Sequence, residues 1–176
     1  GDGWPGQSGY FPSYDYYTRA LDQGWHVAPA NNQDNHWGEW TTANDCRTVV
    51  LAESLTREKI FEAIRAYRVY ATEDKNLQIT FEVNGAPMGT ILSNPTSLRA
   101  KISVVDPDPE DHITGMEIIS DGGLAVAVKS CDTSNAVWEL ELPLTKSYYY
   151  LKVSNIHGEV AVTAPVWRRS SSRAMS

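Results

Sequence analysis

Cysteine is nearly missing from this chain of 176 residues, with only Cys46 and Cys131, one in each half. So few, and so far apart, argue against a disulfide framework, and without a CxxC pair the zinc-ribbon and thioredoxin readings fall away; two free thiols are expected. Histidine is also scarce: His26, His36, His112 and His157, with no His-x-His pair. Basic residues number 15 against 22 acidic ones, a net charge of −7. Residues 1–76 hold 11 acids and 7 bases and residues 77–176 hold 11 and 8, so neither half is a basic module and no nucleic-acid partner is expected. No apolar run approaches the roughly 20 residues needed to cross a bilayer, so no membrane span is expected. Gly1 opens neither a signal-peptide pattern nor a Met-initiated chain, which reads as a processed or cut polypeptide. Its compartment is left open; a secreted or periplasmic location is compatible with this.

What is present is a globular composition, 41% hydrophobic and 21% charged. The two halves differ in periodicity. In the first, Ser13 is positioned to cap a helix over YDYYTRALDQ, with Gly24 as its left-handed stop and Tyr17, Ala20 and Leu21 on one face. HVAPA (26–30) reads as a short strand. Thr56 is the expected N-cap of a second helix, TREKIFEAIRAY, whose Ile60, Phe61, Ile64 and Tyr67 share a face. TVVLA (48–52) and RVYAT (68–72) read as buried strands flanking it, the strand–helix–strand unit of α/β architecture.

From about Asn76 the pattern changes. LQITFEV alternates strictly and runs into Asn84-Gly85, a tight-turn signal. LRAKISVV, GMEIIS, LAVAVKS, VWELELP, YYYLKVS and EVAVTAPVW follow, separated by turn clusters. Seven short strands without a helix indicate an antiparallel immunoglobulin-like β-sandwich. The fold class is therefore α+β, with an α/β portion over 1–75, a sandwich over 76–168, and a flexible tail over 169–176.

The candidate chemistry lies in GWHVAPANNQDNHWGEW, at Asp34-Asn35-His36. On extended backbone, residues i and i+2 point the same way, so a carboxylate and an imidazole converge on one cavity. An oxygen beside a nitrogen ligand suits zinc, manganese or iron. A chance Asp-x-His in a surface turn is the ordinary alternative. Trp37 and Trp40 flank the pair and either wall a substrate cleft or cover a core edge.

The ordered string YDYYTRALDQGWHVAPANNQDNHWGEW resembles the last metal-binding motif of the PHP (polymerase and histidinol phosphatase) superfamily, in which a helix ending in leucine and glycine leads through a short strand to an Asp-x-His loop. The continuation CRTVVLAESLTREKIFEAIRAYRVYATEDKNLQITFEVNGAPMGTIL is similar to the carbaryl-hydrolase-like branch, where an "L-T/S-x-E" helix runs into "R-x-Y-A-T-E-D" and then a β-sandwich. The likeness covers roughly residues 10–92 well and the remainder loosely. It implies that this chain is the C-terminal portion of a metal-dependent hydrolase of phosphoester, carbamate or carboxylic ester bonds. Asp34 would ligate one divalent metal beside the attacking water, and His36 the neighbouring metal. Gln33 stands where the family usually has Ser or Thr. The larger departure is that the superfamily's His-x-His and other ligands lie upstream of the segment seen here. Two ligands fall short of the roughly three plus water of a catalytic zinc site, so the isolated chain is expected to be inactive. Its implied partners are the upstream barrel segment, a small ester or phosphoester substrate and, through an uncovered apolar face, a second copy of itself.

Other residues carry weaker signals. His26 is either a support for the metal loop or a ring simply packed or exposed at the surface. Arg47 and Arg68 are either anion-binding groups or surface ion-pair partners. Glu73 and Asp74 read as a solvated interdomain turn. DPDPEDH (106–112) allows calcium but reads first as a stiff, solvated hairpin connection. Tyr148, Tyr149, Tyr150 and Trp138 suggest a carbohydrate platform or ordinary core. A non-catalytic accessory module, its sandwich contacting carbohydrate or a partner protein, is the reading that competes with the hydrolase.

Overall fold

In β3 (Gln78–Val83) period-two patterning has its physical result: Ile79, Phe81 and Val83 are buried while Gln78 and Thr80 face solvent. The same alternation governs β6 (Arg99–Val105), where Ala100, Ile102 and Val104 turn inward. The computed structural model describes residues 14–170. The Ser13 cap and all of the tail beyond Ser170 therefore lie outside the described residues.

With β4 (Ala86–Pro87) and β9 (Asn135–Glu141), these strands form a four-stranded antiparallel sheet ordered β4-β3-β6-β9. Asn84 and Gly85 both adopt positive φ, +53° and +74°, in the tight β3–β4 turn expected from the Asn-Gly pair. The larger sheet contains β1 (Arg47–Val50), β2 (Val69–Thr72), β5 (Ile91–Ser93), β7 (Ile113–Ser120), β8 (Leu124–Thr133), β10 (Tyr148–Asn155), β11 (Val160–Thr163) and β12 (Val166–Arg169). Its path is β1-β2-β11-β10-β12-β5, with β7 on the other edge of β10 and β8 beyond it. All pairs are antiparallel except β5–β12. The two sheets share one core, in which Phe81 and Ile102 join Met116, Ile118 and Leu151.

The run EVAVTAPVW is two strands. Pro165 has no N–H to offer, and pairing onto β10 slips by one residue between Lys152↔Val162 and Tyr149↔Val166. Arg169, expected in the tail, still pairs with Ser93. DPDPEDH is not a hairpin connection, because it carries the chain from β6 in one sheet to β7 in the other.

The first half needs further corrections. Helix α2 (Arg57–Arg65) forms with Thr56 as its N-cap, the Thr56 hydroxyl accepting from Lys59 N–H. The strands on either side of it, however, are antiparallel neighbours (Arg47↔Thr72, Val50↔Val69), so this is not a βαβ unit. β2 also pairs with β11 (Thr72↔Ala161), so the larger sheet is built from residues on both sides of the boundary expected at 72–76. HVAPA forms no strand. Helix α1 (Tyr14–Asp22) covers the opposite face of β10 from the core: the Tyr17 and Tyr150 rings are 5.1 Å apart, and Tyr148 donates its hydroxyl to Asp22 at 2.8 Å. Tyr148 and Tyr150 thus lie under α1 while Tyr149 enters the main core. All three are at most 3% exposed, which removes the carbohydrate platform.

Candidate functional site

Helix α1 stops where expected, at Gly24 with φ +80°, and the chain then runs to the Asp34 loop without ladder hydrogen bonds. Side chains do the anchoring instead. The Thr48 hydroxyl on β1 donates to the Asn31 carbonyl at 2.7 Å and accepts from Asn31 N–H at 2.9 Å. Asn31 Nδ2 donates to the Thr72 carbonyl on β2 at 3.0 Å. Gln33 ties the loop across itself, its Oε1 accepting from Thr41 N–H at 2.6 Å and its Nε2 donating to the Asn44 carbonyl. Gln33 is therefore the loop's main brace.

Asp34 is not extended. Asn32 Oδ1 accepts its N–H at 2.7 Å, an Asx turn that holds Asp34 at φ +45°, a conformation aspartate tolerates better than most residues. Strand alternation does not hold at this residue, yet the donor atoms still meet: His36 Nε2 lies 3.5 Å from Asp34 Oδ1. Two donors at that spacing fit one divalent ion with bonds of about 2.0–2.2 Å each. Both side chains are open to water, 93% exposed for Asp34 and 82% for His36, so they gain little from each other as an ion pair.

Asp34 borders an open cleft of about 530 Å³ lined also by Asn31, Gln33, Trp40, Cys46 and Arg47. Trp40 is part of this lining; Trp37 and His36 are not, so the imidazole does not share this cavity with the carboxylate. Burial pushes the Cys46 thiol up, so it is protonated at neutral pH and is no activated nucleophile. Cys46 and Cys131 are both free, as the sequence suggests. Arg47 is spent on the loop: its guanidinium donates to the carbonyls of Asn44 and Cys46 at 2.8 Å and of Thr41 at 3.0 Å. Arg68 pairs with Glu62 at 3.4 Å. His26 is exposed, its ring centroid 4.8 Å from that of Trp167. Among the described residues, no third His, Cys, Asp or Glu joins Asp34 and His36 as a ligand set.

A different set does come together. Asp74, Asp106 and Asp111 place one carboxylate oxygen each within 4.8 Å of the others. Glu73 and Asp74 are buried, 7% and 6% exposed, not a solvated turn, because the β2–β3 connection crosses between sheets there. Asp106 is 4% exposed. The sequence signal was the acid-rich loop; its meeting with Asp74, some thirty residues earlier, was not legible. Burial, with the Asp74 and Asp111 carboxylates adding to it, pushes the Asp106 carboxyl up to about 6. Glu73 and Glu159 are also raised by burial. The native protein thus keeps a proton that the unfolded chain releases near pH 4. The associated stability is complete below that pH and is lost as pH rises through about 6. Urea midpoints in a chelating buffer check this: between pH 4 and 6.5 the wild type should lose stability relative to Asp106→Asn, which cannot ionise there. Parallel midpoints across that range would refute it.

No family model matches the sequence, and no solved structure does. The chain is similar to an uncharacterized protein of Chlamydia pneumoniae, 26% identical over 140 residues, and to one of Chlamydia muridarum, 24% identical over 144 residues. Each alignment covers 68% of this chain and 22% of the relative, so the chain matches about a fifth of the length of these proteins.

Proposed function

We propose that this chain is the C-terminal portion of a PHP-superfamily metal-dependent hydrolase of the carbaryl-hydrolase-like branch, with Asp34 and His36 forming one corner of its metal site. The observation that carries the reading is the 3.5 Å approach of His36 Nε2 to Asp34 Oδ1, with Asp34 bordering an open cleft. When bound, a zinc, manganese or iron ion would supply Lewis acidity and water activation. Asp34 and His36 would hold and orient it, and Trp40 would present an apolar wall to a small ester or phosphoester. The paired strands β1 and β2 belong to the larger sheet, so the barrel part of the proposal is confined to α1 and the loop that follows. The two packed sheets are then an appended immunoglobulin-like sandwich.

Two further observations support a longer protein. The relatives are several times longer than the matched stretch. The first half also leaves large apolar side chains in water: Trp25 (64%), Trp37 (78%), Trp40 (73%) and Leu55 (94%), with Phe61 and Ile64 nearly half exposed.

The test is to express the gene product with the sequence that precedes Gly1. It should be assayed with bis-p-nitrophenyl phosphate, p-nitrophenyl acetate and a naphthyl carbamate in the presence of Zn2+, Mn2+ or Fe2+. Removing even an outer-shell partner of a metal costs about 10–100-fold, so Asp34→Asn should lower activity by about a hundredfold or more. Its stability should change by less than about 0.5 kcal/mol, since the side chain touches so little. The 176-residue chain itself should be inactive. A longer protein that turns over none of these substrates, or an unchanged rate in Asp34→Asn, would rule the proposal out.

A further inference from the structure

Two of the chain crossings between the sheets meet the β10–β11 turn at one place, and acids concentrate there. The β2–β3 connection brings Glu73 and Asp74, the β6–β7 connection brings Asp106, Asp108 and Asp111, and the β10–β11 turn brings Glu159. Two of them have a basic neighbour: Lys75 Nζ lies 3.6 Å from Asp108 Oδ2, and His157 Nε2 lies 2.7 Å from Asp111 Oδ1. No cation faces Asp74 or Asp106 at ion-pair distance among the described residues.

Proximity of acids is not a site, but one buried oxygen here receives no hydrogen bond from a protein N–H or hydroxyl. Asp106 is 96% buried, and its Oδ2 has no hydrogen-bond partner. Its Oδ1 is satisfied by Asp108 N–H at 2.9 Å, which fixes the carboxylate that lies in the group with Asp74 and Asp111. The neighbouring carboxylates are anchored in the same way. Asp74 accepts Asn76 N–H (2.8 Å) and Leu77 N–H (3.0 Å) on Oδ1, and Asp111 meets His157 on Oδ1. Asn76 donates Nδ2 to Asp108 Oδ2 at 3.1 Å while its own Oδ1, also buried, has no partner. A buried charged oxygen left unsatisfied is costly, and native folds pair such oxygens with a donor or a metal.

We propose that Asp74, Asp106 and Asp111 bind a calcium ion that clips the two inter-sheet crossings together. All three donors are hard carboxylate oxygens with no nitrogen or sulfur among them, which disfavours zinc, copper and nickel. Oxygens within 4.8 Å of one another can share one coordination sphere with Ca–O near 2.4 Å. Three carboxylates from two connections, with Asp108 and Asn76 as neighbouring oxygen sources, suit the six to eight ligands and loose geometry that calcium accepts. This site shares no residue with the Asp34–His36 corner, so neither reading depends on the other.

The test is thermal unfolding of the full chain in EGTA and at rising CaCl2, with calorimetric titration for stoichiometry. At calcium about a hundredfold above Kd, the midpoint should rise by roughly 5–10 °C, with one ion bound per chain. Asp106→Asn keeps the shape and removes the buried charge. It should fold at least as stably as the wild type in EGTA and lose the calcium shift, while Asp34→Asn should keep it. No shift with 10 mM calcium (a generous excess for a weak extracellular-type site) would overturn the proposal. So would a shift that survives in Asp106→Asn, or an equal one from magnesium at the same concentration.

Discussion

Replacing Gly89 by alanine should destabilise this protein by roughly 4 kcal/mol or more, among the largest effects a single substitution produces. Gly89 lies in the turn between β4 and β5 with φ +91°, and its N–H donates to the Pro165 carbonyl at 2.7 Å. A Cβ there would overlap the Ala66 carbonyl oxygen and come within 2.8 Å of the Tyr67 carbonyl group. Those atoms are backbone and cannot swing aside. They form the corner at the end of α2, where Tyr67 itself holds φ +55° while its ring packs edge-on to Trp167 at 5.5 Å. Gly85→Ala is the control, because Gly85 has φ +74° but nothing within 4 Å of the added atom. Only backbone strain of about 1–2 kcal/mol applies there. Urea unfolding of the two variants separates collision from strain. Equal losses would show that the α2 corner yields, and that it is not seated on the β4–β5 turn.

A chain that begins at residue 76 should fail to fold. Val69 and Tyr70 on β2 are 6% and 2% exposed and belong to the core between the sheets. The Tyr70 hydroxyl donates to the Leu77 carbonyl at 2.6 Å and accepts Ile79 N–H at 3.3 Å. Removing β2 discards these side chains and leaves β11 as a bare edge, with the β2 side of its Ala161–Thr163 ladder unpaired. Losing a buried valine and a buried tyrosine alone costs on the order of 5 kcal/mol, comparable to the whole stability of many domains. Circular dichroism and gel filtration should find the 76–176 fragment unfolded or aggregated. A cooperative, monomeric fragment would instead make the sandwich an independent unit and β2 an ornament on it.

The sequence read well wherever the decisive interactions are local. Thr56 caps α2 because its own hydroxyl reaches Lys59 N–H, three residues on. Asn84-Gly85 makes its turn because both residues tolerate positive φ. The alternation of β3 and β6 survives because side-chain direction along a strand is a property of the backbone. The Asp34–His36 approach was also legible, though by the wrong geometry: an Asx turn from Asn32, not an extended strand, brings the two together.

Tertiary structure decided the rest, for a common reason. Whether β1 and β2 run parallel or antiparallel depends on which edge α2 returns the chain to, and periodicity carries no such information. Whether Tyr148 and Tyr150 form a platform or a core depends on α1, more than a hundred residues earlier, lying across them. Whether an acidic loop is solvated depends on what the sheets bring beside it. Asp106 and Asp74 meet only because two sheet crossings end at the same place. Local propensity is set by a residue and its neighbours within a few positions, whereas burial and charge density are sums over every segment that folding brings near.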